Sequence, residues 1–323
     1  MGSLISDVKK GYFDDKEMAK IIQPTTKVRD FLSDSSVWIT FRVLDGFREG
    51  DIIIAPYFKA GTTLTQCIVL QILHNGKFTQ EKMAEISPWL DSSYGDHGKM
   101  IAYLKNMRER RVIKSHVPAH ALYIDPKVNY IYVGRDGRNV ALSFYNYLSH
   151  FTDRTMHKIN GIYKKATGKN IDLVLPQTEQ EFFDLWLEND GYNCGSFFDN
   201  VKSWWDLRHS PNVLLLHYDQ LSKDLESELP RIATFLGISP ETLDTNSIIM
   251  NCGFEAMKER AERLIPIGVK GSILDDPAKF FHKGTNRDYR KSLTPQQITK
   301  YETMVRKKLS DECSRWLTGY LNS

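Results

Sequence analysis

The stretch of residues 51–67, D-I-I-I-A-P-Y-F-K-A-G-T-T-L-T-Q-C, constrains the fold more than any other part of the chain. Its three consecutive isoleucines are typical of a short strand buried on both faces. A loop with Lys59 and Gly61 follows, and Thr62 and Thr63 stand where a helix would begin. A helix start has free N–H groups and a positive dipole end, so this pattern predicts a phosphate-binding loop. The alternative is an ordinary strand-to-helix turn.

The loop differs from the common phosphate loop of nucleoside triphosphatases. In that motif a lysine follows the last glycine and a Ser/Thr hydroxyl binds magnesium, whereas here Lys59 precedes Gly61. The order of residues therefore indicates a phosphate loop of another kind. A phosphate-loop kinase or nucleotide hydrolase is the rival interpretation, and such an enzyme would require magnesium and prefer ATP.

Three further short apolar runs resemble the first strand, and each ends in polar residues. These runs are 111–116, 129–133 and 213–219. Buried strands that alternate with helices predict an α/β fold, with one domain, a central parallel sheet, helices on both faces and a P-loop-like phosphate loop. Ligands bind at the carboxyl ends of such strands. The side chains at those ends are Lys59, His116, Arg135 and Tyr218.

The length of 323 residues fits one α/β domain, so we expect a single domain over residues 1–323. Residues 1–31 are expected to be a flexible N-terminal segment, and the polar, basic stretch 152–177 an insertion or flexible loop. The run 37–48 suggests a hairpin-like approach to the phosphate loop. Residues 81–110 are expected to be irregular and to line a pocket.

Composition limits the classes of function. The 43 basic and 40 acidic residues give a formal net charge of +3, which is no signature of nucleic-acid or membrane binding. Apolar runs are too short to span a membrane and no signal peptide is recognisable, so we expect a soluble, cytoplasmic protein. The four cysteines lie far apart, and Pro118 separates His116 from His120, so neither disulfides nor a metal site is expected.

Several segments together resemble one family, the cytosolic-type sulfotransferases that use 3′-phosphoadenosine-5′-phosphosulfate (PAPS). The family's first loop, P-K-[SA]-G-T-T, is matched by residues 58–63 with Phe58 in place of proline. Its K-[TS]-H segment is similar to residues 114–116, and its arginine followed eight residues later by serine matches Arg135 and Ser143. The other matches are the G-S-[WF]-x-x-x-V-x-x-W-W segment at 195–205, Tyr218, and the late R-K-G loop at 282–284. The resemblance runs from about Leu32 to the C-terminus.

This resemblance implies a donor site with two anion-binding parts. The phosphate loop would bind the 5′-phosphosulfate, while Arg135, Ser143 and the late loop would bind the 3′-phosphate. The implied donor-binding residues are Lys59, Ala60, Gly61, Thr62, Thr63, Leu64, Arg135, Ser143, Tyr218, Cys252, Phe254, Phe281, His282, Lys283 and Gly284.

Some of these positions depart from the family pattern. Leu64 stands where a tryptophan usually helps to enclose the adenine, and Cys252 stands where a threonine usually lies near it, so Phe254 is the expected stacking partner. His282 occupies the place of an arginine that contacts the 3′-phosphate. The sequence leaves open whether Arg287 or Arg290 replaces that arginine.

The family's chemistry gives the implied catalytic residues their roles. Sulfuryl transfer moves SO3 in line from a phosphate to an acceptor, so the enzyme must remove the acceptor proton and neutralise the leaving phosphate. His116 is the expected general base, because imidazole titrates near neutrality. Lys59 and Lys114 are expected to stabilise the bridging oxygen and the transferring group. PAPS is then the donor, adenosine 3′,5′-bisphosphate (PAP) is the product, and no metal is needed.

The acceptor and the oligomeric state are left open by the sequence. A hydroxyl or an amine of a small molecule is expected as acceptor. Aromatic residues that could line a pocket for a phenol or alcohol are Tyr94, Phe144, Tyr147 and Phe151. Carboxylates that could attract a cationic amine are Asp91, Asp96 and Asp153. A protein that only binds the nucleotide is a third interpretation, which the K-S-H segment argues against because it supplies a base.

Overall fold

The computed structural model describes residues 24–27, 33–78, 82–93, 96–168, 175–265, 274, 276–281 and 288–319. Its strands are β1 (Ile52–Ile54), β2 (Val112–Lys114), β3 (Asn129–Gly134) and β4 (Val213–His217). They form one parallel sheet in the order β2-β1-β3-β4. In the register of the sheet, Ile53 of β1 lies between Ile113 of β2 and Tyr130 of β3. The predicted parallel α/β sheet is therefore confirmed.

Helices connect and cover these strands. Within the described ranges they are α1 (Ser36–Leu44), α2 (Thr62–Leu73), α3 (Met83–Ile86), α4 (His97–Asn106), α5 (Gly137–Leu148), α6 (Asp153–Thr167), α7 (Glu179–Glu188), α8 (Phe197–Trp205), α9 (Tyr218–Lys223), α10 (Leu225–Phe235), α11 (Thr245–Cys252), α12 (Phe254–Glu259), α13 (Ala261–Leu264), α14 (Pro295–Lys308) and α15 (Asp311–Thr318). Short 3-10 turns occur at Ala119–Ala121, Pro240–Thr242, Pro277–Phe280 and Tyr289–Lys291.

The two faces of the sheet carry separate hydrophobic clusters, because successive strand residues point to opposite sides. Ile53 and Tyr132 belong to one cluster, which includes Trp204 of α8. Ile52 and Ile131 belong to the other, together with side chains of α2 and α10. A parallel sheet needs cover on both faces, and the prediction of helices on both faces is confirmed.

The prediction of a hairpin at residues 37–48 is wrong. The chain forms α1 there, with Val37, Trp38 and Phe41 buried. These side chains recur at intervals of three and four, which is the spacing of a helix face. The β-branched and aromatic residues of the run favoured strands locally, but burial of that face decides the structure.

Two stretches, one predicted to be an insertion or flexible loop and one predicted to be irregular, contain helices. In residues 152–177 the chain forms α6, whose first turn is capped by Thr152 and which ends at Gly168 with φ +72°. Residues 81–110 contain α3 and α4 besides irregular segments. Residues 1–23, 28–32 and 169–174 lie outside the described ranges. The domain limits and the flexible N-terminal segment stay predictions.

Candidate active site

The predicted phosphate loop joins β1 to α2, and two of its residues have left-handed backbone conformations. Gly61, directly before α2, has φ +112°, and Lys59 has φ +62°. A Cβ at position 61 would lie 2.7 Å from a carbon of the Tyr218 ring. Glycine is required there for both reasons, because other residues rarely adopt this φ and because the ring packs directly on the loop.

The start of α2 offers polar groups to an anion. Thr62 and Thr63 are buried in its first turn, and Ala60 is buried beside them. Among the described residues, the Thr62 hydroxyl oxygen has no hydrogen-bond partner. The first N–H groups of a helix also lack intrahelical acceptors and lie at the positive end of its dipole. A phosphosulfate group at this turn would supply the missing partners, so these residues fit the predicted donor.

Lys59 places its ammonium between aromatic rings. Its Nζ lies 3.9 Å from the ring centroid of Phe280 and 4.4 Å from that of Tyr147. Although the residue as a whole is only half-buried, its charged end is desolvated. Burial, followed by the charges of Arg135 and Lys114, lowers the pKa of Lys59 to about 7. A bound anion would favour the charged form and raise that pKa again.

Arg135 follows β3 and connects the loop to the neighbouring strand end. Its guanidinium donates a 2.6 Å hydrogen bond to the carbonyl oxygen of Lys59 and lies 4.1 Å from the ring centroid of Tyr218. Ser143 is half-buried on α5, the helix that follows Arg135. The structure thus brings three predicted strand-end residues together.

His116 follows β2 and is buried next to the loop. Its Nδ1 lies 2.7 Å from the carbonyl oxygen of Pro56. A carbonyl only accepts hydrogen bonds, so Nδ1 carries the proton and Nε2 keeps its lone pair. Burial, and then the charges of Lys114 and Lys59, hold the imidazole pKa well below 6.5. The ring is therefore neutral at pH 7, and Nε2 is able to accept a proton.

Lys114 ends β2 and is a second buried cation beside His116. Its Nζ lies 4.3 Å from the ring centroid of Trp89. Burial lowers the pKa of Lys114 to about 7, and the nearby carboxylate of Asp91 opposes this shift. Lys59 and Lys114 are thus both poised to gain charge when an anion binds.

Aromatic rings form a wall around the imidazole. The ring centroid of His116 lies 4.1 Å from that of Phe58 and 5.0 Å from that of Trp89. Phe144 stacks against Phe58 at a centroid distance of 6.4 Å. Apolar walls favour a neutral ligand over a charged one, because a cation would lose its hydration there.

Comparison with known proteins identifies the family. A family model described as a sulfotransferase domain matches residues 49–312. The chain belongs to the sulfotransferase family. Mouse sulfotransferase 1B1 is 31% identical to it over 271 residues, which cover 81% of this chain and 83% of the relative. A glycolipid sulfotransferase of Mycobacterium tuberculosis is 26% identical over 306 residues, which cover 89% of this chain and 92% of the relative.

Solved structures share the fold of this sulfotransferase. Mouse sulfotransferase SULT7A1 complexed with PAP is similar with a TM-score of 0.67 at 23% identity, covering 93% of this chain and 98% of the other. Retinol dehydratase in complex with androsterone and PAP is similar with a TM-score of 0.61 at 22% identity, covering 83% and 82%. The predicted fold, family and enzyme class, a sulfotransferase of the PAPS-dependent type, are confirmed.

Two of the three residues predicted near the adenine in this sulfotransferase, Leu64 and Cys252, lie on the α2 face of the sheet. Cys252 belongs to the hydrophobic cluster on that face, and its Sγ lies 3.7 Å from Sγ of Cys67. Phe254 begins α12 and is half-buried. Others that pack against the same cluster are Leu64, Tyr218 and Phe281. Their roles in donor binding stay predictions.

Part of the predicted donor site cannot be placed. His282, Lys283 and Gly284 lie outside the described residues, as do Tyr94 and Arg287. Arg290 is exposed and pairs with Asp288 at 3.4 Å. The question of which side chain replaces the family's arginine at the 3′-phosphate therefore stays open.

Sequence patterns missed two aromatic residues of the sulfotransferase site and assigned Asp91 to another role. Trp89 lies in a stretch predicted to be irregular, and Phe280 contacts Lys59 from a distant part of the chain. The sequence offered one weak signal, because Trp89 lies two positions before Asp91 and Phe280 directly precedes Phe281. Asp91, a candidate for attracting an amine, instead accepts hydrogen bonds from three side chains.

Two properties concern the part of the chain that the structure describes. It contains no cluster of three histidine, cysteine, aspartate or glutamate side chains that could hold a metal ion. None of its helices has both the length and the apolar character needed to cross a bilayer. A metal-free reaction and a cytoplasmic location stay predictions.

Proposed function

We propose that this sulfotransferase transfers the sulfuryl group of PAPS to a hydroxyl or amine of a small molecule, with His116 as general base. The observation that carries the proposal is the contact between His116 Nδ1 and the Pro56 carbonyl oxygen. It fixes the proton on Nδ1 and leaves Nε2 free to accept the acceptor's proton. The buried lysines on either side supply positive charge for the donor.

Each cation has a distinct part in the proposed reaction. Lys59, at the phosphate loop, would bind the phosphosulfate and stabilise negative charge on the bridging oxygen. Lys114 would stabilise the oxygens of the transferring group. Arg135 and Ser143 would bind the 3′-phosphate and fix the position of the donor. Positioning and charge stabilisation are the main contributions that a protein makes to transfers of this type.

Two observations favour a hydroxyl group over an amine as the acceptor. Asp91 is committed to three internal hydrogen bonds, while Asp96 and Asp153 are exposed at helix starts. Phe58 and Phe144 give the surroundings of His116 an apolar character. Structures of retinol dehydratase contain androsterone or retinol, which supports a small apolar acceptor here as well.

The test of the base is His116→Ala, with His120→Ala as matched control. His120 is partly exposed, pairs with Asp199 at 3.3 Å, and has no assigned part in the reaction. We expect His116→Ala to lower turnover by a factor of about 100 to 10,000 and to leave PAP affinity nearly unchanged, because the base contacts the acceptor and not the donor. Rates with labelled PAPS and calorimetry with PAP measure the two effects.

The same assay separates the rival functions. A His116→Ala rate above about a tenth of wild type would contradict the base assignment, since the barrier would then change by less than about 1.4 kcal/mol. Transfer from magnesium ATP, with none from PAPS, would support a kinase. Wild-type activity should also persist on the acid side until well below pH 6.5, because the base must be deprotonated and its pKa is depressed.

A further inference from the structure

Asp91 is a buried carboxylate to which the proposed mechanism gives no part. Its exposed fraction is 0%. It belongs to residues 88–92, which run beside β2. The Lys114 N–H donates to the Pro88 carbonyl oxygen, and the Leu90 N–H donates to the Lys114 carbonyl oxygen. Asp91 is therefore held next to the strand end that carries Lys114 and His116.

Three side chains donate hydrogen bonds to this carboxylate. They are Trp38 through Nε1 at 2.9 Å, Trp89 through Nε1 at 2.5 Å and Ser115 through Oγ at 2.5 Å. Ser115 lies between the candidate catalytic residues Lys114 and His116, and its hydroxyl oxygen also accepts from the Val117 N–H at 3.3 Å. The Trp89 ring lies below the Lys114 ammonium and stands edge-on to His116. The carboxylate thus anchors both the backbone and the aromatic wall around these residues.

Asp91 also supplies the negative charge that acts on Lys114. Within the described ranges, the titratable groups coupled electrostatically to this ammonium are Asp91, Lys59 and, when protonated, His116. The charges of Lys59 and Lys114 disfavour each other, whereas His116 is neutral at pH 7. Asp91 acts in the opposite direction and is the carboxylate that raises the pKa of Lys114 against burial. Removal of its charge would leave two neighbouring cations without this compensation.

We propose that Asp91 is a positioning residue for sulfuryl transfer, which fixes the segment of Lys114 to His116 and places a negative charge beside the Lys114 ammonium. The inference rests on the proposed function, because Lys114 has a part in the reaction only there. Its two components, hydrogen bonding and charge, are separable by substitution. Asp91→Asn removes the charge together with one of the two accepting oxygens, because an amide nitrogen cannot accept a hydrogen bond, whereas Ser115→Ala removes one hydrogen bond and keeps the charge.

The experiment is the pH profile of kcat/KM for PAPS, which reports the protonation of the free enzyme. We expect Asp91→Asn to move the alkaline limb to lower pH by about one unit, because Lys114 then loses its proton more readily. Ser115→Ala should lower the rate at every pH and leave the limb in place. An unshifted limb in Asp91→Asn would overturn the charge component.

Lys114→Arg provides the background that assigns the shift, because arginine does not titrate in this range. In that background, Asp91→Asn should no longer move the limb, and an equal shift there would overturn the assignment to Lys114. Asp91→Glu keeps a carboxylate but displaces it, so the limb should stay and the rate should fall at least about tenfold. A wild-type rate in Asp91→Glu would overturn the positioning component, and this variant decides it if Asp91→Asn does not fold. Failure of the base test on His116 would leave these outcomes unaffected.

Discussion

The two lysines of the candidate active site are tuned by burial more than by ion pairing. Lys59 and Lys114 both have a pKa of about 7, because their ammonium groups are desolvated beside aromatic rings. The donor carries phosphate and sulfate charge, so its binding would raise both values and take up protons. Donor binding should therefore depend on pH across the neutral range.

We expect PAP affinity to fall by on the order of tenfold or more between pH 6 and pH 8.5, because the free enzyme loses protons that the complex requires. In Lys59→Arg the slope of log Kd against pH should decrease by about one, since arginine stays charged throughout this range. Calorimetry in buffers of different ionisation enthalpy would measure both the affinity and the proton uptake. Equal slopes for wild type and Lys59→Arg would contradict the assignment to Lys59.

The sequence predicts those site residues that lie together within one short segment. Lys59, Gly61 and Thr62 stand within a few positions of each other, so their pattern can be read from one segment. The role of Asp91 could not be predicted in this way, because its partner Ser115 is 24 positions away. Only the pairing of residues 88–90 with β2 brings the two side chains together. Long-range contacts of this kind carry no local signal.

Among the secondary structure elements, α1 is tied to the amino ends of the strands by a buried ion cluster. Arg111, directly before β2, is 1% exposed and donates to the carboxylates of Asp45 and Asp51. Asp45 follows α1, and Asp51 precedes β1. The cluster lies at the end of the sheet opposite to the candidate active site, so its importance should be for stability and not for the reaction.

Arg111→Met should lower the free energy of unfolding by about 3–5 kcal/mol, because it leaves the buried Asp51 carboxylate without its cation and leaves Asp45 only its pair with Arg48 at 3.3 Å. Urea denaturation would measure the change. The control is Lys82→Met, which removes an exposed pair with Glu85 at 3.5 Å and should cause no measurable change. PAP affinity of the folded Arg111→Met protein should equal that of wild type, and a loss of stability below about 1 kcal/mol would show that the cluster is not required.

Secondary structure elements were predicted correctly where the residues' preference for strand or helix agrees with the pattern of burial. The buried strands are mainly apolar, with isoleucine throughout β1, and α14 has Pro295 in its first turn behind the capping Thr294. In α1 the two signals disagree, because residues with a preference for strands occupy a helix that buries Trp38 and Phe41. In α6 the polar composition concealed a helix whose caps, Thr152 and Gly168, were present in the sequence.

For the molecule as a whole, the lysines that are buried for donor binding should lower the free energy of unfolding. A lysine side chain in water has an ordinary pKa of 10.5, whereas Lys59 in the folded protein has a pKa of about 7. Between these values the unfolded chain binds more protons than the folded protein, so the free energy of unfolding due to this group rises with pH. The destabilisation is therefore absent above pH 10.5 and complete below about pH 7.

Lys59→Met should therefore stabilise the protein without ligand, and the gain should be larger at pH 7 than at pH 9.5. The difference is at most about 1.4 kcal/mol per pH unit for one proton. Denaturation curves of both proteins at the two pH values would measure it, and a gain independent of pH would contradict it. The same variant should bind PAP more weakly, as expected where a residue that function requires reduces stability.

Strand order is the property of the whole molecule that the sequence did not reveal. Each strand can be predicted from its own residues, but the position of β1 between β2 and β3 depends on how helices such as α2 and α5 pack on the two faces. Local patterns therefore predicted the parallel sheet and the strand ends that form the site. They could not predict which strand ends are adjacent.

The position of β4 at the edge of the sheet has a consequence for synthesis of the chain. β1, β2 and β3 are complete once residue 134 has left the ribosome, whereas β4 ends at His217. At ordinary translation rates the edge of β3 would stay without its neighbour for on the order of several seconds. Unpaired strand edges promote aggregation, so this interval is when a nascent chain would depend most on chaperones. Tyr301, whose hydroxyl accepts from the Gly137 N–H at 2.8 Å, is made later still, so the start of α5 gains this contact only after residue 301 has left the ribosome.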